Sequence, residues 1–205
     1  MEPLGSALLI AGAYAFGAVP WGVVLGRMMA GTDLREHGSH STGATNAYRV
    51  LGKQAAIAVL VLDFLKGFAP VVLARWLDAD WWVVGAVAVA AVAGHCWSPY
   101  IGFGGGKGVA TGGGALIGMM PWLIIVVLPL VVIVLFTRYV SLGSLVGAVA
   151  AALLALAASA LGFEAPAAAI AASLIAAIVV FRHQDNIRRL RAGTENRFGQ
   201  RSTAA

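Results

Sequence analysis

Apolar residues run in long stretches along this chain, near 4–26, 55–74, 81–98, 109–136, 140–161 and 166–181, and polar residues collect between them. A helix needs about 20 apolar residues to cross a bilayer. The pattern therefore predicts an all-α, polytopic transmembrane bundle forming a single domain over residues 1–205. The stretch 109–136 is too long for one ordinary span and contains Pro121 and Pro129. Read as one tilted span, it gives six crossings with both termini on the same side. Divided at Met120-Pro121, it gives seven, with the termini on opposite sides.

Charge separates the two readings. The first long polar loop carries Arg27, Arg35, Arg49 and Lys53, and the tail carries Arg182, Arg188, Arg189, Arg191, Arg197 and Arg201. Lys and Arg accumulate on the cytoplasmic side of short loops. An odd number of spans is needed to put both segments there, so seven spans are expected, with the N-terminus outside and the C-terminus cytoplasmic. Arg138 then also falls inside, and the outer connections, residues 75–80 and 162–164, are poor in Lys and Arg. The helix over 106–120 is expected to be short and to begin in a polar pocket. Met1-Glu2-Pro3 lacks the positive start of a cleavable signal, so the first apolar stretch reads as a retained span.

Composition agrees with lipid as the solvent. Of 205 residues, 60% are hydrophobic and 11% charged, against about 25% charged in soluble domains. The net charge of +5 is accounted for by topology, and no basic domain stands outside the membrane, so nucleic acid is excluded as a partner. A single cysteine, Cys96, rules out an intrachain disulfide, and no CxxC or HExxH spacing suggests a metal. The Ala-rich stretch 148–172 suits close helix packing and carries no evident chemistry.

Three polar segments remain. The first, residues 33–49, offers Ser39, Ser41, Thr42, Thr45, Asn46 and the two-pronged cation Arg49, with Gly38 and Gly43 admitting close backbone approach. Phosphate recognition uses such a mixture. A solvated loop with a helix cap at Thr45 or Asn46 is the plainer alternative. The second, residues 102–111, contains Gly104-Gly105-Gly106-Lys107-Gly108 at the entry to a helix. It fails as a Walker A motif, because Gly108 follows the lysine and the segment follows a membrane helix. A glycine run at the positive end of a helix beside a lysine still suits an anion. The third, residues 181–195, holds His183 and Asn186 three apart on one face of the helix leaving the membrane, a plausible acid/base pair. Its arginines are explained by topology alone. Asp63 and Lys66, also three apart, lie inside the second span, either as structural glue or as support for the site.

Taken together, these segments resemble the PlsY family, the bacterial acyl-phosphate:glycerol-3-phosphate acyltransferases. The likeness runs through Gly38-Ser39, Gly43-Ala44-Thr45-Asn46, Arg49-Val50-Leu51-Gly52-Lys53, Asp63-Phe64-Leu65-Lys66-Gly67, Gly94-His95, Gly105 to Thr111 and His183 to Glu195. Two positions depart from the family pattern. Ser41 and Gly104 stand where the family commonly has other residues, so no role is carried onto them. The resemblance implies transfer of an acyl chain from acyl phosphate to the 1-hydroxyl of glycerol 3-phosphate, giving lysophosphatidic acid and phosphate, with no cofactor. It also implies catalytic roles for Ser39, His183 and Asn186, and substrate binding by Thr45, Asn46, Arg49, Gly105, Gly106, Lys107, Gly108, Ser141 and Glu195. Membrane lipids would be the remaining partner, and the bacterial inner membrane the location. The His-x-x-x-x-Asp dyad of another acyltransferase family is absent at His37, His40, His95 and His183. Acyl phosphate is already activated, so direct attack by the hydroxyl is simpler than an acyl-Ser39 intermediate. Either His183 or a substrate phosphate can take the proton. A transporter of a phosphorylated metabolite is the rival reading, suited to broken helices and buried charge.

Overall fold

The computed structural model describes residues 2–199, which contain ten α-helices and no β-strand. The helices are α1 (Pro3–Gly17), α2 (Trp21–Ala30), α3 (Ala44–Leu51), α4 (Lys53–Trp76), α5 (Trp81–Cys96), α6 (Val109–Met119), α7 (Val127–Thr137), α8 (Val140–Ala160), α9 (Pro166–Arg182) and α10 (Gln184–Arg191). The segments Pro3–Ala30, Lys53–Trp76 and Val140–Ala160 are each long and apolar enough to cross a membrane. The pair α9 and α10 makes a fourth such segment, bent by 60°, while α5, α6 and Pro121–Thr137 are apolar but shorter.

The first apolar stretch is not the continuous helix its hydrophobicity suggests. It breaks at Ala18–Pro20, because Pro20 has no N–H and its ring crowds the preceding turn. The carbonyls released there find donors on α4 and on the connection after α5. Ser98 Oγ donates to the Ala18 carbonyl at 2.6 Å, and Lys66 Nζ donates to the Val19 carbonyl at 2.8 Å. A backbone break inside a bilayer persists where such partners exist. The long stretch 109–136 is likewise divided. After α6 it bends at Met120 and passes through a 3-10 turn, Pro121–Val126, into α7. Pro129 falls in the first turn of α7, where a missing N–H costs little.

Helices α4 and α6, α1 and α5, and α8 and α9 pack most closely. Two of these crossings are built on paired glycines. Gly67 of α4 faces the Thr111 carbonyl of α6, while Gly114 of α6 faces the Phe64 carbonyl of α4; Gly17 and Gly94 do the same between α1 and α5. A Cβ at any of the four would overlap backbone. Small residues allow this approach where lipid supplies no hydrophobic drive for association. The α5–α6 connection, the loop before α3 and the chain after α9 are thereby gathered at one end of the bundle.

Candidate active site

The first polar segment is ordered by its own side chains. Asp33 caps a 3-10 turn (Leu34–Glu36) by accepting from the Arg35 N–H at 3.0 Å and pairs with the Arg35 guanidinium at 2.7 Å. These hydrogen bonds, against the opposing effect of burial, hold its carboxyl well below the usual range. Asn46 is almost fully buried. Its amide nitrogen donates to the carbonyls of Leu34 at 2.8 Å, His37 at 3.1 Å and Ser41 at 2.9 Å, and its oxygen accepts from the Ser39 N–H at 2.8 Å. Helix α3 starts after Gly43 with no side-chain cap, so neither Thr45 nor Asn46 caps it. Asn46 instead reaches back and closes the loop, leaving Ser39 half-buried at its rim with no hydrogen bond to its hydroxyl among the described residues. Thr45 and Arg49 stand half-buried along α3.

The glycines of the second segment are required first by packing. Gly105 lies against the carbonyls of His95 and Cys96, and Gly106 lies against the His95 ring, with no room for a Cβ at either. The Gly106 N–H donates to the His95 carbonyl at 3.2 Å. That amide is therefore engaged by the protein, although the sequence pattern suggests it as an anion donor. Arg182 fixes the other side, donating from Nε to the Gly106 carbonyl and from Nη2 to the Gly105 carbonyl, both at 3.1 Å. Gly108 sits at φ +80° and launches α6, a turn that glycine accommodates without strain.

In the third segment α9 and α10 are separate helices meeting at 60°, with His183 at the joint. This corrects the expectation of one continuous helix. Both His183 and Asn186 are buried. Lys107 Nζ donates to Asn186 Oδ1 at 2.6 Å, and Asn186 Nδ2 donates to Glu195 Oε1 at 2.6 Å. The same carboxylate accepts from Ser141 Oγ on α8 at 2.8 Å and from Arg189 Nε at 2.8 Å. Lys107, Asn186, Ser141 and Glu195, far apart along the chain, thus form one network.

The electrostatics of that network are unusual for exposed loops. Burial, with the repulsion of Arg189 and Arg49, lowers the Lys107 pKa to about 8 against the pull of Glu195. Burial also lowers Arg49 from the usual guanidinium range. Glu195 stays below the usual carboxylate range because hydrogen bonds from Asn186, Ser141 and Arg189 outweigh its burial. Three cations, Lys107, Arg49 and Arg189, face the carboxylates of Glu195 and Asp185, which leaves a surplus of positive charge. His183 donates from Nδ1 to the Val179 carbonyl at 2.7 Å, which leaves Nε2 as an acceptor. Burial lowers its pKa to about 4.

Two spaces adjoin this network. A polar cleft of about 350 Å³ is lined by Ser39, Lys107, Arg182 and Asp185 among others, and so by all three segments. An apolar cavity begins next to it at Val109 and Val179 and runs between α6, α7, α8 and α9. Arg182 and Arg189 were not separable by sequence from their neighbours, since any arginine at a membrane rim is explained by topology. Arg188 and Arg191 fit that explanation, being exposed, with Arg188 held at 3.6 Å by exposed Asp185.

Apolar helices joined by glycine crossings, with a cation-rich cleft at one end beside an apolar cavity, define a helical membrane protein with a polar site at one end of its bundle. Known proteins identify the family. The model of the family described as glycerol-3-phosphate acyltransferase matches residues 7–193, and the chain belongs to that family. It is similar to the glycerol-3-phosphate acyltransferase of Geobacter sulfurreducens, with 46% identity covering 95% of this chain and 98% of that one. It is also similar to one from Thermus thermophilus, with 43% identity over 94% of each. The crystal structure of PlsY, an integral membrane glycerol 3-phosphate acyltransferase in its glycerol 3-phosphate form, superposes with a TM-score of 0.89 at 38% identity, covering 95% of this chain and 96% of that one. Its lysophosphatidic acid form superposes at 0.87.

Proposed function

We propose that this protein transfers a fatty acyl group from acyl phosphate to the 1-hydroxyl of glycerol 3-phosphate, giving lysophosphatidic acid and phosphate, the first step of phospholipid synthesis. The observation that carries this reading is the cleft shared by Ser39, Lys107 and Arg182, backed by a surplus of positive charge, with an apolar cavity that starts two residues from Lys107 at Val109. Family membership supports the acceptor. Charge suited to phosphate, beside an apolar cavity suited to a chain, supports acyl phosphate as the donor.

Lys107 and Arg49 hold phosphate groups, with the Ser39 hydroxyl as a neutral donor. The glycerol hydroxyl attacks the acyl carbon, the carbon–oxygen bond to phosphate breaks, and phosphate leaves with the bonding electrons. Positioning and charge stabilisation supply most of the acceleration. His183, with its pKa near 4 in the free protein, is a poor store for a proton. The bound hydroxyl first donates to the His183 Nε2, then turns that hydrogen to a phosphate oxygen, whose second ionisation lies at about 6, and passes the proton there as the acyl bond forms. Asn186 orients Lys107.

In the membrane, seven crossings are assigned to Pro3–Ala30, α4, α5, α6, Pro121–Thr137, α8 and α9. The Lys/Arg distribution supports an N-terminus outside and a cleft at the cytoplasmic face of the bacterial inner membrane. A reporter fused after Ala205 tests the orientation and is expected to be active only in the cytoplasm. For the reaction, purified protein in lipid receives acyl phosphate and glycerol 3-phosphate. Phosphate release dependent on both, with lysophosphatidic acid as product, is expected. Uptake of glycerol 3-phosphate into vesicles without chemistry would instead establish a transporter.

A further inference from the structure

Beneath the cleft the bundle buries a second polar cluster to which the reaction gives no task. Asp63 and Lys66 on α4 and His95 near the end of α5 are each no more than 5% exposed. Lys66 Nζ pairs with Asp63 Oδ1 at 3.0 Å while donating to the Val19 carbonyl at 2.8 Å. His95 Nδ1 lies 3.6 Å from the same carboxylate oxygen, beyond hydrogen-bond distance, and makes no hydrogen bond among the described residues. Ionisable groups inside a membrane bundle are costly, and those that persist have work to do.

The opposite edge of the His95 ring shows what that work is. Gly106 is packed against Nε2 and Cε1, so closely that a Cβ there would overlap both, and Thr42 Oγ1 stands 3.2 Å from the same point. The Gly106 N–H is bonded to the His95 carbonyl at 3.2 Å. The loop carrying Lys107 therefore rests on His95, and the ring fills the space between the buried Asp63–Lys66 pair and two of the three polar segments of the cleft. A ring displaced toward Asp63 takes away the surface on which Gly106 sits.

We infer that His95, backed by Asp63 and Lys66, is a positioning residue that sets the height of the Gly105–Lys107 loop and hence where the Lys107 ammonium meets substrate phosphate. The inference rests on the reading of Lys107 as a phosphate-holding group. Plain structural glue would be read in stability alone. A positioning strut is read in the kinetic constants for glycerol 3-phosphate, and through the one contact that transmits it.

That contact is open to a double-mutant cycle. His95→Asn keeps a polar atom toward Asp63 but vacates Cε1 and Nε2. Gly106→Ala drives a methyl group into the space those atoms occupy. In the natural background Gly106→Ala is expected to lower kcat/KM for glycerol 3-phosphate about 100-fold, the cost of an ångström-scale misplacement. His95→Asn alone is expected to cost about tenfold, mostly as a raised KM, because Lys107 is displaced rather than removed. In the His95→Asn background, Gly106→Ala is expected to cost less than about 3-fold more, because its methyl now has room. Equal costs of Gly106→Ala in the two backgrounds would overturn the inference. The pair is tested by Asp63→Leu with Lys66→Met, an apolar replacement of similar size that buried ion pairs often tolerate. A kept unfolding temperature with roughly tenfold lower kcat/KM supports the strut, and unchanged kinetics reduce the pair to glue. If that double variant fails to insert, the cycle at His95 and Gly106 decides alone. Thermal unfolding of the four cycle proteins without substrate reports the same contact. Coupled unfolding in a wild-type protein that makes no lysophosphatidic acid defeats the acyltransferase reading and supports the contact, whereas additive losses in an active wild type defeat the strut.

Discussion

The two ends of the bundle treat their polar side chains differently. At the end that carries the cleft, side chains bond across long stretches of sequence. Lys107 meets Asn186, Ser141 meets Glu195, and Arg182 meets the carbonyls of Gly105 and Gly106. Most of these groups are buried or half-buried. At the opposite end the polar contacts are fewer and lie at the surface. Asp80 accepts from the Trp82 N–H two residues on, Trp122 Nε1 donates to half-buried Glu164 at 2.6 Å, and Arg75 lies over the Trp81 ring while donating to the Gly118 carbonyl. Tryptophans near a membrane surface with a polar partner are what an interface belt requires. The contrast teaches that charge at a membrane rim is informative when it is buried in a shared network, and uninformative when it stands singly at the surface.

The largest effect should come from Lys107. In the proposed reaction, replacing half-buried Lys107 with alanine removes a charge-assisted phosphate contact worth about 1.5–3 kcal/mol, so kcat/KM for glycerol 3-phosphate is expected to fall by roughly 10- to 150-fold. A loss under 3-fold would remove Lys107 from the site. The second effect is in pH. With its pKa near 8, Lys107 is charged below that value and loses its charge as pH rises through it. KM for glycerol 3-phosphate should then climb about tenfold per pH unit well above 8 in an unliganded-enzyme titration, and Lys107→Arg, which stays charged, should flatten that limb. His183, already neutral above about pH 4, should add no limb of its own between pH 6 and 8. A histidine-like inflection there that vanishes in His183→Ala would restore it as the base.

Two arginines test the comparison directly. Arg182→Ala should lower kcat/KM about tenfold, since two charge-assisted bonds hold the Gly105–Gly106 loop. Arg188→Ala, at the same end but exposed, should change it by less than about 2-fold. Similar losses in the two variants would mean that rim charge as such, and not the bonded network, governs turnover. The smallest effect belongs to the far end. Glu164→Gln should leave turnover within about 2-fold of normal, because an exposed hydrogen bond contributes little.

The sequence itself determined that this is a membrane bundle of helices, because apolar length and scarcity of charge admit no other solvent. Its division at Met120-Pro121 was legible too, since proline and an excess of length act locally. So were the three polar segments, whose residue types suit phosphate wherever the chain carries them. The tertiary structure decided what sequence spacing cannot encode. It supplied Ser98 from the connection after α5 and Lys66 from α4 as the donors that make the break at Pro20 tolerable. It bent the chain at His183 and so turned Asn186 toward Lys107. It turned Asn46 back onto its own loop, and bonded Arg182 and Arg189 into the site while Arg188 and Arg191 stayed exposed. The physical reason is the same in each case. Local pattern reports what solvent a segment tolerates, whereas the partner of a buried hydrogen-bonding group is fixed by which backbones the glycine crossings allow to meet.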